Sequence, residues 1–354
     1  MPKTKIVIEV FVNKIIENKG PFSDYTDKYL GKLKDRIEKN RTYWQISNVR
    51  FWSVPIVDTN HIYAIISKGI TLANFVSLTK EGFLISFNKN GTNYQSPLLF
   101  KEYANIKQGS TTELSYGRLS SRGIYKDVYD TVYKEISFDT VFKRVPIIKK
   151  TQIQKTREEQ AREMADEIFS LRDYRLSLLV GDLDQLPDGK ALNIMLSGIN
   201  KLEKQYLEMF IGRRDTLSYR YIFTYVPEQI PNIYRVVLFK FSTRKGILPV
   251  DAIEGNPVIL EIYHQDNCEK IRDFEVSQFL LETEKGVKNS GIFYRIPDKA
   301  LLKLKMGNMT LGQIEMYIAQ LGSIARLPYK LFLQKNVSIE FYPDLGAIKS
   351  ITKQ

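Results

Sequence analysis

Cysteine and histidine are scarce in this sequence of 354 residues, which contains one cysteine, Cys268, and two histidines, His61 and His264. One cysteine excludes a disulfide bond within the chain, and three such residues in all exclude a zinc site with four cysteine or histidine ligands. General acid-base catalysis by histidine would depend on one of two residues. We therefore predict a protein that is not an enzyme and that has no cofactor and no metal ion.

Long apolar runs are also absent, because each apolar stretch is interrupted before the ~18 residues that a membrane-spanning helix needs. We predict no transmembrane segment. The first apolar stretch, Ile6–Val12, contains Glu9 and several β-branched residues, which predicts a strand rather than the uncharged core of a signal peptide. We expect either a cytoplasmic protein or one whose leader is not part of this sequence.

The composition is typical of a folded protein, with 43% hydrophobic and 26% charged residues. The formal charge of +12 is concentrated in residues 1–150, where 24 Lys and Arg against 14 Asp and Glu leave an excess of +10. Such an excess can attract nucleic acid or another polyanion. Cations and acids alternate there, however, and we predict that the densest basic cluster is a solvent-exposed connector. This cluster consists of Lys143, Arg144, Lys149, Lys150 and Lys155.

Alternating apolar and polar residues predict strands through much of residues 1–150, including one at 61–67. One short helix is predicted between Gly20-Pro21 and Gly31, and the segment Thr79–Gly82 predicts a turn between two antiparallel strands. Residues 88–124 show no sustained period and predict long loops. We expect residues 1–150 to form an N-terminal β-rich domain.

Residues 151–212 instead follow the period of an α-helix, about 3.6 residues. One apolar stripe consists of Ala161, Met164, Ala165, Ile168, Phe169 and Leu171, and a second of Leu192, Met195, Ile199, Leu202, Tyr206 and Met209. Because the connector between the stripes is short, the two helices pack against each other in opposite directions. We predict an antiparallel helical hairpin.

From residue 213 to residue 354 the pattern again predicts strands, with turns at Arg244–Gly246, Asp298-Lys299 and Pro343–Gly346. The predicted fold class is therefore α+β. It consists of two mainly antiparallel, sandwich-like β domains, residues 1–150 and 213–354, with the helical hairpin 151–212 inserted between them.

Several short segments form a familiar order. They are Gly20-Pro21-Phe22 with Tyr25, Lys28–Gly31, Leu78–Gly82, Gln160-Ala161 with Ala165-Asp166, Ile168-Phe169 and Leu171-Arg172, and Gly181-Asp182 with Leu186–Gly189. In order and spacing they resemble an uncharacterised bacterial family, domain-of-unknown-function family 4831, over nearly the whole length. Members of that family usually begin with an export signal, which we do not predict in this sequence. The resemblance implies an extracytoplasmic protein, periplasmic or associated with the outer membrane, and implies no activity or ligand.

The helix connector contains three acids, Asp182, Asp184 and Asp188, and calcium loops also use closely spaced oxygen ligands. Pro187 stands where such a loop requires glycine, and Asn193 stands where it requires a closing acid. We therefore predict a structural connector without a metal ion, in which Asp188 caps the second helix.

Other candidate residues also favour structural roles. His264, Asp266 and Cys268 lie close together, but residues 265–267 predict a turn, so we predict no catalytic dyad. For His61 we predict a surface or half-buried side chain without a chemical role. No phosphate-binding loop surrounds any of the candidate glycines Gly117, Gly123 and Gly189. We assign no catalytic, cofactor-binding or metal-binding residue.

Aromatic residues are frequent in the N-terminal part and could stack on sugars or bases. They include Tyr43, Trp44, Phe51, Trp52, Tyr94, Tyr103, Tyr116 and Tyr125. Since alternation along a strand directs about half of such rings into the core, we attribute most of them to packing.

These observations predict a non-catalytic envelope protein that binds a protein or a glycan of unknown identity. The alternative is a cytoplasmic protein that binds nucleic acid or another polyanion through residues 1–150, with affinity that falls steeply as salt is added. A third possibility is an enzyme whose acids come from distant strands.

Overall fold

A computed structural model describes residues 1–63, 76–89, 116–120, 122–138, 141–182, 188–228, 233–264, 291–328 and 337–353. The chain divides into two compact units. Unit 1 comprises Met1–Lys14, Tyr43–Lys107 and Ser218–Gln354, and unit 2 comprises Ile15–Thr42 and Gln108–Leu217.

Strands predominate in the described part of the chain, and the pairings are antiparallel in the sheets that follow. This confirms the predicted α+β class. The strands are β1 (Pro2–Asn18), β2 (Arg41–Val57), β3 (Val76–Leu78), β4 (Leu84–Phe87), β5 (Tyr125–Phe138), β6 (Val141–Gln154), β7 (Arg213–Tyr225), β8 (Ile233–Ser242), β9 (Gly246–Leu248), β10 (Asn256–His264), β11 (Gly291–Met306), β12 (Met309–Pro328), β13 (Val337–Tyr342) and β14 (Ala347–Lys353). The helices are α1 (Thr26–Tyr29), α2 (Tyr116–Leu119), α3 (Arg157–Val180) and α4 (Gly189–Ile211).

The core of unit 1 lies under a five-stranded sheet with the order β12-β11-β10-β8-β9. Leu260 of β10 lies opposite Leu304 of β11, and Ile262 lies opposite Leu302, so that one face of the sheet is continuously apolar. Alternate residues of β1, among them Ile6 and Ile8, are fully buried in the same cluster. Each such side chain contributes roughly 1.5–3 kcal/mol by leaving water, which makes this face the main source of stability in unit 1.

The turn predicted at Asp298-Lys299 is wrong, because β11 continues through these residues and pairs with β12 on both sides of them. The register shifts between Ile296 and Asp298, on either side of Pro297, which has no N–H to donate to the ladder. The opposite strand provides Gly322, where a Cβ atom would stand 1.7 Å from the Ile296 carbonyl oxygen. A bulge therefore accommodates Pro297 within the continuous strand.

A second sheet of unit 1 has the order β14-β13-β4-β3. It confirms the turn at Thr79–Gly82, where the Thr79 N–H donates to the Phe83 carbonyl over 2.8 Å and Gly82 has a φ of +84°. Residues 61–63 are not in a strand, contrary to the prediction for 61–67, whose remaining residues lie outside the described ranges.

The predicted helical hairpin is present in unit 2 as α3 and α4. Thr156 and Glu159 form a capping box at the start of α3, and Gly181 ends that helix in the left-handed conformation. Both predicted stripes are largely buried, with Met164 and Met209 at 0% exposure. Phe169 and Leu202 are exceptions, because they are exposed on the outer edges of their stripes.

The predicted helix after Gly20-Pro21 is shorter than expected, since a 3-10 turn at Ser23–Tyr25 leads into the four-residue α1. Gly31 ends this segment with a φ of +77°, as predicted. Gly20 contacts the backbone of α4 so closely that a Cβ atom would stand 2.4 Å from the Met209 carbonyl oxygen. Gly20 is therefore needed for close packing against α4.

Candidate functional site

Many exposed apolar side chains of unit 2 lie on a two-stranded antiparallel ribbon formed by β5 and β6, and others, such as Val180 and Ile194, lie on α3 and α4. The strands pair along their full length, from Tyr125 opposite Gln154 to Phe138 opposite Val141. We call this element the ribbon. Isolated two-stranded sheets are marginally stable in water, because neither face is covered by a core.

The ribbon corrects the prediction that the basic cluster is a connector. Arg144, Lys149 and Lys150 lie on β6 and are exposed, whereas Lys155, just after the strand, is buried. The alternation of apolar and polar residues is hard to see in the sequence of β6, because similar residues stand next to each other in pairs. The two residues of each pair lie on opposite faces of the strand. For that reason the hydropathy pattern did not predict the strand.

One face of the ribbon carries three tyrosines of β5, Tyr125, Tyr129 and Tyr133, each four positions from the next. Ile148 and Pro146 of β6 lie on the same face, opposite Thr131 and Tyr133. Tyr129 is 63% exposed, Tyr133 is 64% exposed and Ile148 is 69% exposed. We call this surface the tyrosine face.

On the opposite face of the ribbon, aliphatic side chains lie between charged side chains. Val132 lies opposite Ile147, and Lys126 lies opposite Ile153. The exposed aliphatic residues of this face are Val128, Val132, Ile136, Ile147 and Ile153. Both faces of one element therefore present large apolar side chains to solvent, which is unusual outside interaction sites.

Cross-strand ion pairs fix the register of the ribbon. Lys150 Nζ lies 2.8 Å from Asp127 Oδ2, and Arg144 Nε lies 2.8 Å from Glu135 Oε1. The hydrogen bond from Lys150 lowers the pKa of Asp127, and the same bond raises the pKa of Lys150. Since a shift of one residue would exchange the two faces, these pairs help to keep the tyrosines together.

The base of the ribbon is anchored on the start of α3. Lys155 donates from Nζ to the carbonyl oxygens of Gly123 (3.0 Å) and Arg122 (3.2 Å) and lies 2.7 Å from Glu163 Oε2. Lys126 of β5 forms an ion pair with Glu159 of α3, and its hydrogen bond lowers the pKa of Glu159 to about 2. The ribbon therefore extends from a base that these contacts hold against α3.

A sequence model of the family described as "Domain of unknown function (DUF4831)" matches residues 1–116 and 131–349 of the chain. The chain belongs to the DUF4831 family. The match includes the whole of β6 and α3–α4, and it agrees with the resemblance noted from the sequence. No curated protein and no solved structure matches the chain.

The aromatic candidates of this DUF4831 chain separate into core and surface residues. Trp44 packs on Tyr219 with ring centroids 5.1 Å apart, and Phe51 packs against the core of unit 1. Tyr116 is buried against Phe22, and burial raises its pKa to about 12, helped by its hydrogen bond to Glu163. Tyr43 and Trp52 are half-buried, Tyr125 is exposed, and Tyr94 and Tyr103 lie outside the described residues.

The acids of the helix connector do not converge in the part that the structure describes. The Ala191 N–H donates to Asp188 Oδ1 over 2.7 Å, which confirms the predicted cap of α4. Asp182 is exposed, Asn193 lies on α4, and Asp184 and Pro187 lie outside the described ranges. Among described residues of the DUF4831 chain, no group of three or more His, Cys, Asp or Glu could hold a metal ion.

Both histidines contact a carboxylate. His61 Nδ1 lies 2.8 Å from Oδ2 of the buried Asp58, and His264 Nδ1 lies 3.4 Å from Asp298 Oδ2. Burial alone would raise the pKa of Asp58, but hydrogen bonds from His61 and the Asn60 N–H, with the charge of Arg295, keep it below its ordinary value. His61 is half-buried, as predicted.

The remaining candidates give no site within the described chain. His264 is buried, while Asp266 and Cys268 belong to ranges that the structure does not describe. Gly117 lies in α2, Gly123 has a φ of +66°, and Gly189 begins α4. None of the described helices is long and apolar enough to cross a membrane.

A shallow cleft of about 630 Å³ in unit 2 was not predicted from the sequence. Its lining includes Arg175, Asn200, Glu203, Glu208 and Arg213. Glu203 already pairs with Arg172 (2.7 Å) and with Arg175 (2.5 Å), and burial raises the pKa of Glu208. These pairs make the cleft a polar helix-packing network, so the ribbon remains the stronger candidate for recognition.

Proposed function

We propose that this DUF4831 protein is a non-catalytic binding protein of the cell envelope that recognises a protein partner through the tyrosine face of the ribbon. The observation that carries the proposal is the row of Tyr125, Tyr129 and Tyr133 on one exposed face, beside Ile148. The location in the envelope is supported by the family resemblance alone.

Tyrosine suits recognition because its large ring adds contact area at a low cost in conformational entropy. Its hydroxyl group can still bond to polar atoms of a partner. Lys150 and Arg144 lie on the same face and would form a polar rim around the rings. Covering this face would also stabilise a ribbon that has no core of its own.

A glycan is the second class of ligand predicted from the sequence, since tyrosine rings also stack on sugars. A protein partner is favoured because the aliphatic face, with Val132 and Ile147, suits side-chain packing and lacks rings for sugars.

The polyanion alternative has less support, because many cations of residues 1–150 are already paired with acids. Examples are Arg41 with Glu17, Arg36 with Asp27 and Lys150 with Asp127.

Site-specific photo-crosslinking tests the proposal. A photoreactive phenylalanine analogue replaces Tyr129 or Tyr133 in the full chain, produced in the bacterium that encodes it. The matched control is the same replacement at Tyr317, which is 54% exposed on β12 of unit 1. We expect one discrete crosslinked protein from both ribbon positions and none from Tyr317. Crosslinking that is equal at all three positions, or absent from the ribbon, would contradict the proposal.

Four further measurements separate the alternatives and test the location. The crosslinked protein, once purified, should bind the wild-type chain and lose at least about tenfold in affinity for a Tyr129→Ser/Tyr133→Ser variant. Binding to isolated cell-wall glycan that the same variant loses would favour a glycan ligand. Binding to single-stranded DNA that weakens steeply with salt would favour the polyanion alternative. Protease added to intact spheroplasts should digest the protein if it is extracytoplasmic.

A further inference from the structure

The two edges of the ribbon differ in their suitability for pairing with another strand. The β6 edge carries Arg144, Lys149 and Lys150, the strand contains no acid, and Pro146 interrupts its row of N–H groups. Lysine and proline on an edge are features that oppose strand addition. The β6 edge is therefore protected against pairing with another strand.

The β5 edge has less protection of this kind, because its lysines are balanced by acids. It has no proline, and its five charges comprise Lys126 and Lys134 with Asp127, Asp130 and Glu135. Within the described chain, β5 pairs with β6 alone, so its other edge has no strand beside it. Val132 at the middle of β5 is 47% exposed.

We propose that two copies of this chain associate through their β5 edges, antiparallel about a twofold axis at Val132, to form the four-stranded sheet β6-β5-β5′-β6′. A twofold axis perpendicular to the sheet keeps each face of the ribbon on its own side. In this register Val132 lies opposite the partner's Val132. Asp130 then lies opposite the partner's Lys134, and Val128 lies opposite the partner's Ile136, each pair occurring twice.

Neighbouring registers are less favourable. With the axis at Thr131, Asp127 would lie opposite the partner's Glu135, and with the axis at Asp130, that acid would lie opposite itself. With the axis at Tyr133, charged residues would lie opposite Val132 and Ile136. Opposite charges directly across a strand pair stabilise it and like charges destabilise it, so the charge pairs favour the Val132 register.

The same edges explain why assembly would stop at two copies. After pairing, both outer edges of the new sheet are β6 strands, which the lysines and Pro146 protect. The ribbon would gain the third and fourth strands that independent stability requires. The tyrosine faces of both copies would remain exposed on one side of the sheet, so this association is independent of the proposed function.

Sedimentation of the purified full chain over a wide range of concentration tests the proposal. We expect a dimer. Lys134→Asp places like charges across the interface at two symmetric positions and should raise the dimer dissociation constant by about tenfold or more. Adding Asp130→Lys to that variant restores opposite charges and should restore the dimer. Val132→Lys should abolish it, whereas Ile147→Lys, its cross-strand neighbour on β6, should not.

Disulfide trapping provides a second readout in a Cys268→Ser background. Val132→Cys should form a covalent dimer on mild oxidation, because residues directly opposite in antiparallel strands are close enough for a disulfide bond. Ile147→Cys is the control and should stay monomeric. A chain that is monomeric at every concentration, or that crosslinks equally at both positions, would overturn the proposal. Neither result would affect photo-crosslinking from Tyr129 to a different protein.

Discussion

Asp58 and Arg295 form a buried ion pair across 237 positions of the chain. Their side chains are 0% and 3% exposed, and Asp58 also accepts hydrogen bonds from the Asn60 N–H and contacts His61. The pair joins the segment after β2 to β11 in the core of unit 1. Because both charges have left water, each depends on the other for its stability.

Removal of either Asp58 or Arg295 should therefore lower the stability of the folded chain. Asp58→Asn is expected to lower the free energy of unfolding by about 3–5 kcal/mol, since it leaves the Arg295 charge buried without its counter-ion. Urea unfolding monitored by tryptophan fluorescence measures the change. The double variant Asp58→Asn/Arg295→Met should lose less than the sum of the two single variants. Purely additive losses would show that the two charges do not depend on each other.

Two glycines should respond in opposite directions to the same substitution. Gly322→Ala should destabilise the chain by about 1–3 kcal/mol, because the added Cβ would overlap the Ile296 carbonyl oxygen at the β11 bulge. Gly198→Ala in α4 meets no atom within 4 Å and should stabilise by about 0.5–1 kcal/mol. Thermal unfolding of both variants checks the signs. A neutral Gly322→Ala would contradict the bulge geometry.

Stability should depend on pH through Glu261. Hydrogen bonds from Lys305 and Tyr263, with help from Arg235, lower its pKa from 4.5 to about 2 in the folded chain. A carboxylate with a lowered folded pKa stabilises the protein above its unfolded pKa, and that contribution is lost as the pH falls. The free energy of unfolding should therefore decrease between pH 4.5 and about 2.

Variants around Glu261 test the assignment of this pH dependence. Glu261→Gln should be less stable at neutral pH and should show a flatter profile across that range. Lys305→Met removes the largest favourable contact and should raise the folded pKa of Glu261, so the loss should be smaller and should be complete at a higher pH. Unchanged profiles in both variants would assign the pH dependence to other groups.

Asp188 should act as a helix cap and not as a metal ligand. Asp188→Ala is expected to cost about 1 kcal/mol because the Ala191 N–H loses its acceptor, and Asp188→Ser should recover most of that loss. Calcium added to the wild-type chain should leave its melting temperature unchanged. A calcium-dependent rise that disappears in Asp182→Asn would contradict the structural interpretation.

The helical hairpin shows how far the sequence alone could lead. Apolar residues at helical spacing predicted both helices, and Asp188 predicted the start of the second, because caps and stripes depend on local chemistry. The exposure of Phe169 and Leu202 was not predicted. Which edge of a stripe reaches the core depends on the crossing of two helices, and this information is not local.

The strands show what the sequence alone could not predict. Asp298-Lys299 suggested a turn, yet the chain continues as β11, since Gly322 on another strand leaves room for a bulge. The ribbon was missed in β6 because Lys149-Lys150 and Ile147-Ile148 hide the alternation. The three tyrosines at every fourth position of β5 were the available signal, since an even spacing places them on one face of a strand.

The sequence by itself determined the fold class, the helical hairpin with its cap at Asp188, the absence of an internal disulfide and the resemblance to the DUF4831 family. These properties follow from composition and from interactions within about four residues of each other. Only the tertiary structure decided that Asp58 meets Arg295, that β11 is continuous and that the tyrosines are exposed on a ribbon. Burial and strand pairing join residues far apart in the chain, and so they depend on the whole fold.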